Sequence, residues 1–353
     1  DGVPGGLVIN EEFIYHDLFR RQQGHGRGGR MKIEKDHAEI YTGIRHGKSL
    51  GSPIGLILPN KDWKNWTVKM SAEPVDEDIK KITLPRPGHA DLAGIQKYDS
   101  DDIRNILERS SARETAMRVA LASICRKFLS EVGIEVCSRV VQIHTVKDET
   151  LISENISLKT LNKKVDESPV RCLDKKVEKR MIDAIDKAKN NGDSVGGVFE
   201  IIANGIPYGL GSHVQWDTKL HARIAESIMS VNAFKGIEIG LGFKSSLRLG
   251  SEVHDEISWD GEKYTRHSNN AGGIEGGMSN AQPIIVRLVM KPIPTLIKPL
   301  RSVDIETKEN KLAHKERTDS CSVPAASIVA ESMLCFVLAD ALLEKFGGDT
   351  MDQ

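Results

Sequence analysis

Residues 112–131, ARETAMRVALASICRKFLSE, place Ala112, Ala116, Val119, Ala120, Ile124 and Phe128 along one stripe at helical spacing. An amphipathic helix is stable in water only when another element covers its apolar stripe, so the chain must build a core around helices. Ser111 and Glu114 read as a Ser-x-x-Glu capping box at its start, and Gly133 stands where a helix stop is expected. Around this anchor the periodicity predicts helices over 11–21, over a charged surface stretch carrying Val177, Met181, Ile185 and Ala188, over 220–231, and over about 325–345. Strands are expected at AEIYTG, SPIGLILP, IEVCSRVVQI, 195–206, the end of NAFKGIEIGLGF, and PIIVRLVMK. Residues 61–83 and 266–281 read as irregular loops. No repeat or clean linker divides 1–353, which predicts a single α+β domain with helices and mainly antiparallel strands.

The 353 residues carry a formal net charge of −1, so the molecule as a whole has no attraction for nucleic acid or acidic membranes. Any anion site must come from local clustering. Five cysteines, odd in number and without a C-x-x-C pair, argue for a reducing, cytoplasmic setting and against a cysteine metal site. No apolar run is read as a membrane span, and no signal peptide is read at the start. The chain opens on Asp1-Gly-Val-Pro-Gly-Gly, a turn between two elements, so further residues are expected upstream.

Four clusters could carry chemistry. LPRPGHADLAG (84–94) sets His89 on a proline- and glycine-rich loop, with Arg86 and Asp91 beside it. A titratable ring on such a loop is a candidate acid or base. The second cluster, 20–32, holds Arg20, Arg21, Arg27, Arg30 and Lys32 with no acid, a candidate site for phosphate or carboxylate. Its Gly24, Gly26 and Gly29 match G-x-G-x-x-G, but the run follows a helix and opens a strand, the reverse of a dinucleotide fold. RNA binding by this loop is the weaker reading, because no aromatic platform is interleaved. Third, Arg109-Ser110-Ser111 precedes the capped helix, whose free N–H groups favour an anion. Finally, Lys291-Pro292-Ile293-Pro294-Thr295 leaves a strand, and Arg317 and Asp319 lie just before the last helix. A cationic crevice around His89 results if the fold gathers these loops; otherwise they are solvated turns and ion pairs.

Together, RRQQGHGRGGRMKIEKD, GSPIGL, DWKNW, RPGHADLAGIQKY, RSSARETAMRVA, VNAFKGIEIGLGF, NNAGGIEGGMSN, KPIPT and RTDSCSVPAA resemble the chorismate synthase family, in order and over nearly the whole chain. The resemblance implies a β-α-β sandwich, with central helices flanked by mainly antiparallel sheets, usually a homotetramer. It implies a lyase that uses reduced FMN to eliminate phosphate from 5-enolpyruvylshikimate 3-phosphate, giving chorismate. NADPH as flavin reductant, or an external flavin reductase, goes with it. By position, Arg109, Ser110, Ser111, Asn232, Ala233, Gly276, the 291–295 stretch and Arg317 match flavin-binding residues. Arg21 and Arg27 match arginines for NADPH or substrate. His89 and Asp319 match catalytic residues, and no metal is implied. Two departures stand out. The family's Gly-Glu-Ser-His-Gly loop, with a second catalytic histidine, would lie before Asp1, and neither His16 nor His25 sits in that motif. Ala281 stands where the family usually has glycine.

Overall fold

The structure, a computed structural model, describes residues 1–29, 35–152, 156–315 and 318–353. Nine helices are found among these: α1 Glu11–Gln22, α2 Asp91–Tyr98, α3 Arg104–Ser110, α4 Glu114–Glu131, α5 Leu158–Asp166, α6 Lys175–Asn190, α7 Leu220–Met229, α8 Gly250–Val253 and α9 Val323–Phe346. The longest, α9, is apolar over most of its surface, and such a helix must be largely enclosed. It packs against α4, α7 and α1 and against the main sheet. By length and composition α9 could cross a membrane, which corrects the expectation that no run is long enough. Its burial within the protein accounts for that apolar surface instead.

The main sheet has five antiparallel strands, in the order Val146–Lys147, Glu135–Ile143, Gly197–Asn204, Ile284–Met290, Phe234–Ile239. Alternation along the strands sorts its two faces. Val136 and Val140 join Phe199 and Ile201 in the core that α4 and α9 share. Cys137, on the opposite face, packs with Leu158, Leu161 and Val165 of α5. One apolar core runs from Leu7 to Leu342. The result is an α+β fold with helices against a mainly antiparallel sheet. Among the described residues, the other strands form short antiparallel groups, such as Glu39–Thr42 with Gly55–Ile57 and a three-stranded group around Tyr208–Gly211.

A buried charge sits in the middle of α9. Glu331 is fully buried, and its Oε1 accepts from Arg20 at 2.9 Å and lies 2.6 Å from Arg126. Its Oε2 accepts from Ser138 at 2.6 Å. Arg20 and Arg126 also share Asp17, at 3.1 and 2.8 Å. Arg171 pairs with Asp166, which also meets Arg20 at 2.9 Å. Burial alone would raise the Glu331 carboxyl. The guanidinium groups of Arg20, Arg126 and Arg171 outweigh it and hold the group down at about 2.

The predicted helices and strands form with boundaries shifted by a few residues, apart from three differences. The capping box does not form: α4 begins at Glu114, its N-cap Arg113 makes no side-chain cap, and Glu114 pairs with Arg118 at 2.8 Å. Ser111 instead closes α3, and its hydroxyl accepts from the Arg113 N–H at 3.3 Å. Two short helices, α2 and α3, form where no helix is expected, because each is too short to reveal a period. The 266–281 loop contains the hairpin Ile274–Glu275 and Met278–Asn280.

Glu331→Ala would leave three buried guanidinium groups without their central carboxylate. We expect a loss of about 3–5 kcal/mol in denaturant unfolding. Because the folded carboxyl lies below its ordinary 4.5, its stabilisation is complete above that pH and is lost as pH falls toward about 2. Acid titration of the parent chain should show this loss, and the variant should show less of it. A variant as stable as the parent would contradict the account.

Candidate active site

His89 lies in the turn directly before α2, and Asp91 is the first residue of that helix. Asp91 is fully buried and makes a two-pronged pair with Arg86: Nε to Oδ2 at 2.9 Å and NH2 to Oδ1 at 3.1 Å. The Arg86 backbone N–H adds a third donor at 2.9 Å. The His89 Nδ1 stands 2.5 Å from Asp91 Oδ1. Burial alone would raise the Asp91 carboxyl, but the hydrogen bonds from His89 and Arg86 hold it well below the usual carboxylate range.

This turn is docked on the 291–295 stretch. Arg86 NH1 donates to Thr295 Oγ1 at 3.1 Å, and the Lys291 ammonium donates to the Gly88 carbonyl. Burial, with Lys235 nearby, pushes the Lys291 ammonium down. The Lys291 N–H donates in turn to the Ala233 carbonyl at 3.0 Å. Ala233 has φ +71, a left-handed conformation rare for a side-chain-bearing residue and a mark of constrained backbone. Next to it, Asn232 Nδ2 reaches the Ser110 carbonyl at 3.4 Å. Three distant motifs, 86–91, 232–233 and 291–295, therefore touch in sequence and end at Ser110.

A second centre forms where 24–29 meets 318–322. Asp319 accepts from the Gly28 N–H at 2.6 Å and from Ser322 Oγ at 2.7 Å, and pairs with Arg27 at 3.2 Å. The Ser320 N–H donates to the Gly26 carbonyl at 2.8 Å, and His25 Nε2 lies 2.7 Å from Asp186 of α6. Close approach demands the glycines here. A Cβ on Gly26 would lie 2.8 Å from Ile185 and 2.9 Å from Cys321, and one on Gly28 would lie 2.8 Å from the Thr318 carbonyl. Burial pushes the Cys321 thiol up to about 12, so it is inert packing and no nucleophile. Ser194 and Val195 bridge the two centres: the Val195 N–H donates to the Ser320 carbonyl at 2.9 Å, and Ser194 Oγ donates to the Ile293 carbonyl at 2.7 Å.

The basic run at 20–32 is not one anion site. Arg20 belongs to the Glu331 network. Arg21 is buried, with its donors on Asp36 at 3.2 Å, on Thr115 Oγ1 at 2.9 Å and on the Ala112 carbonyl at 3.0 Å. For Arg20 the partners Glu331 and Asp166 come from far along the chain, which the local sequence does not reveal, whereas Asp36 closes the same run that holds Arg21. Arg30 and Lys32, like Arg317, lie outside the described residues. Arg109 is largely exposed and pairs with Glu108 at 3.3 Å. With Ser110 it ends α3 rather than opening α4, so the helix-start argument for this run is replaced by the Asn232 contact. Gly276 turns the Ile274–Met278 hairpin at φ +58 and faces open space. Ser322, Asp36 and Thr115 lie inside the quoted motifs without having been singled out, and Ser194 is a contributor that no motif announced. Two clefts, of about 700 and 580 Å³, lie around 79–84 and around Asp1, and neither is lined by His89, Ser110 or Asp319.

An imidazole set in an arginine–carboxylate pair, with loops that carry lysine, threonine and serine docked beside it, is the arrangement of a candidate acid–base enzyme site. The model of the family described as chorismate synthase matches residues 1–343. The chain is 57% identical to chorismate synthase 2 of Bacillus cereus, covering 100% of this chain and 91% of that protein. It is 55% identical to chorismate synthase of Bacillus subtilis, covering 100% and 92%. A crystal structure of chorismate synthase superposes with a TM-score of 0.79 at 43% identity, covering 100% of this chain and 89% of that one. The chain belongs to the chorismate synthase family, and its function is that of this lyase.

Gly26→Ala should force the 24–29 and 318–322 loops apart, because its Cβ meets packed atoms at a φ of +89. We expect a loss of about 1–3 kcal/mol in thermal or denaturant unfolding. Cleavage between 24 and 29 in limited proteolysis should also become faster. Parent-like melting and proteolysis would contradict the packing described.

Proposed function

We propose that the chain converts 5-enolpyruvylshikimate 3-phosphate to chorismate by a 1,4-anti elimination of phosphate, with reduced FMN bound beside the substrate. The observation that carries this reading is the unbroken contact path from His89 through 291–295 and 232–233 to Ser110. The donor set fits a flavin phosphate and ring. The Ser110 hydroxyl is buried and has no hydrogen-bond partner among the described residues, so it is available to a ligand. Lys291, Thr295 and Asn232 add a cation, a hydroxyl and an amide within one connected stretch. Ser111, Gly276, the 292–294 backbone and Arg317 complete the proposed flavin site, with Arg109 as an outer cation on account of its exposure.

When bound, the flavin supplies electron density to the substrate transiently and recovers it, so the reaction has no net redox change. The phosphate leaves with the C–O bonding pair, and a ring hydrogen departs from the opposite face as a proton. His89 acts as the general acid or base on this path. Asp319 is held as an acceptor by Arg27, Gly28 and Ser322 and serves as a proton relay. Arg27 faces the anionic substrate or NADPH. Arg21 acts at one remove, by holding Thr115 and Ala112 at the start of α4.

The reading extends to a homotetramer in the cytoplasm, with flavin reduced by NADPH or an external reductase. An oligomer is supported by Phe243, Leu247 and Leu249, which are 80%, 83% and 70% exposed on one short stretch. RNA binding is disfavoured because Arg20 and Arg21 face buried acids rather than solvent.

Anaerobic incubation with reduced FMN and substrate should release chorismate and phosphate in equal amounts, and intact protein without either product would refute the reading. His89→Ala should lower turnover by about 10–10³-fold while FMN affinity is largely kept. Unchanged turnover would remove His89 from the mechanism.

A further inference from the structure

The Asp91 carboxylate accepts hydrogen bonds from one backbone and two guanidinium N–H groups, and its Oδ1 also sits against a ring nitrogen of His89. An oxygen of an ionised carboxylate and an imidazole nitrogen reach 2.5 Å only with a proton between them, since two lone pairs would repel. That proton belongs on Nδ1. The Arg86 NH2, 3.1 Å from Nδ1, then cannot be donating to it; one of its two hydrogens goes to Asp91 Oδ1, also at 3.1 Å. The same NH2 stands 3.4 Å from Nε2, a long and weak contact. Asp91 is itself immovable, because it is fully buried and clamped by Arg86, which is in turn tied to Thr295.

We propose that Asp91 is the positioning residue of the reaction: it fixes His89 as the Nδ1–H tautomer, so that Nε2 is the nitrogen that exchanges protons at the reacting ligands. The inference rests on the reading of His89 as the acid or base and assigns the atom through which it works. Through Arg86 and Thr295, the same carboxylate sets the distance between that nitrogen and the 291–295 loop. A carboxylate that orients a catalytic imidazole in this way controls both ring rotation and tautomer.

The direct test is a long-range ¹H–¹⁵N spectrum of the full chain with labelled histidine, above the pH where the ring titrates, with His89 assigned by its loss in His89→Ala. We expect a protonated Nδ1 and a bare Nε2. An Nε2–H tautomer would overturn the proposal, and this measurement needs no change at Asp91. In kinetics, Asp91→Asn should lower kcat by about 10²-fold or more, with KM for the phosphorylated substrate within about threefold. In a His89→Ala background the same substitution should cost almost nothing further, because there is no ring left to orient. An equal loss in both backgrounds would make Asp91 merely structural and would refute the proposal. Slow turnover in His89→Ala with normal turnover in Asp91→Asn would sink this inference alone. Normal turnover in His89→Ala would sink the acid–base reading and this one with it.

Discussion

The buried carboxylate of Glu331 is the constraint on which the rest of the structure depends. Helix α9 is apolar over most of its length, its other acids Asp340 and Glu344 pair with Arg223 near its exposed C-terminal end, and its apolar contacts alone leave it free to shift register. A charge at its centre removes that freedom. Glu331 is stable only where Arg20 of α1 and Arg126 of α4 reach it and the sheet residue Ser138 donates to it. Desolvation of such a cluster is expensive, and a misplaced register would strand several charges at once. The network thus selects one packing of α1, α4 and α9 on the sheet. Specificity of register, rather than net stability, is the better account of why ions occupy this core.

The consequences reach the active site through short lengths of chain. The 24–29 loop leaves the end of α1 directly after Arg20 and Arg21. Asp319 and Ser322 stand just ahead of α9. Fixing the two helices therefore fixes the meeting of Arg27 with Asp319. Arg21 adds a second tie, from α1 to the turn that opens α4, through Thr115 and Ala112. On the other side of the site, Arg86 and Asp91 link the His89 turn to Thr295, beyond the end of the main-sheet strand Ile284–Met290. Asp319 is thus held by a charged pair with Arg27 from a distant loop, and His89 by the local Arg86–Asp91 pair that Thr295 anchors to another element.

Much of this was legible in the sequence. The stripe on α4, the alternation of the main strands and the motif set around His89, Ser110 and Lys291 all led to the right fold class and family. The fate of the arginines was not. Arg20, Arg21 and Arg27 look alike along the chain, yet two are buried against Glu331 and Asp36 while Arg27 faces Asp319. Those acids lie up to some three hundred residues away, and local charge counting cannot see them. The capping box failed for a related reason: Ser111 had two uses, and closing α3 won over opening α4. The Nδ1–Asp91 contact was foreshadowed only by the spacing of His89 and Asp91, which a turn or a helix would arrange differently.

The account's central claim is that separate loops gather into one ligand site while the ionic core stays unchanged. Hydrogen–deuterium exchange of the full chain, with and without FMN and the phosphorylated substrate, tests it most directly. The account predicts joint protection at 86–91, 109–111, 232–233 and 291–295, with α9 around Glu331 already slow and unaffected. Protection confined to the cleft around 79–84, or none at the 86–91 turn, would contradict it.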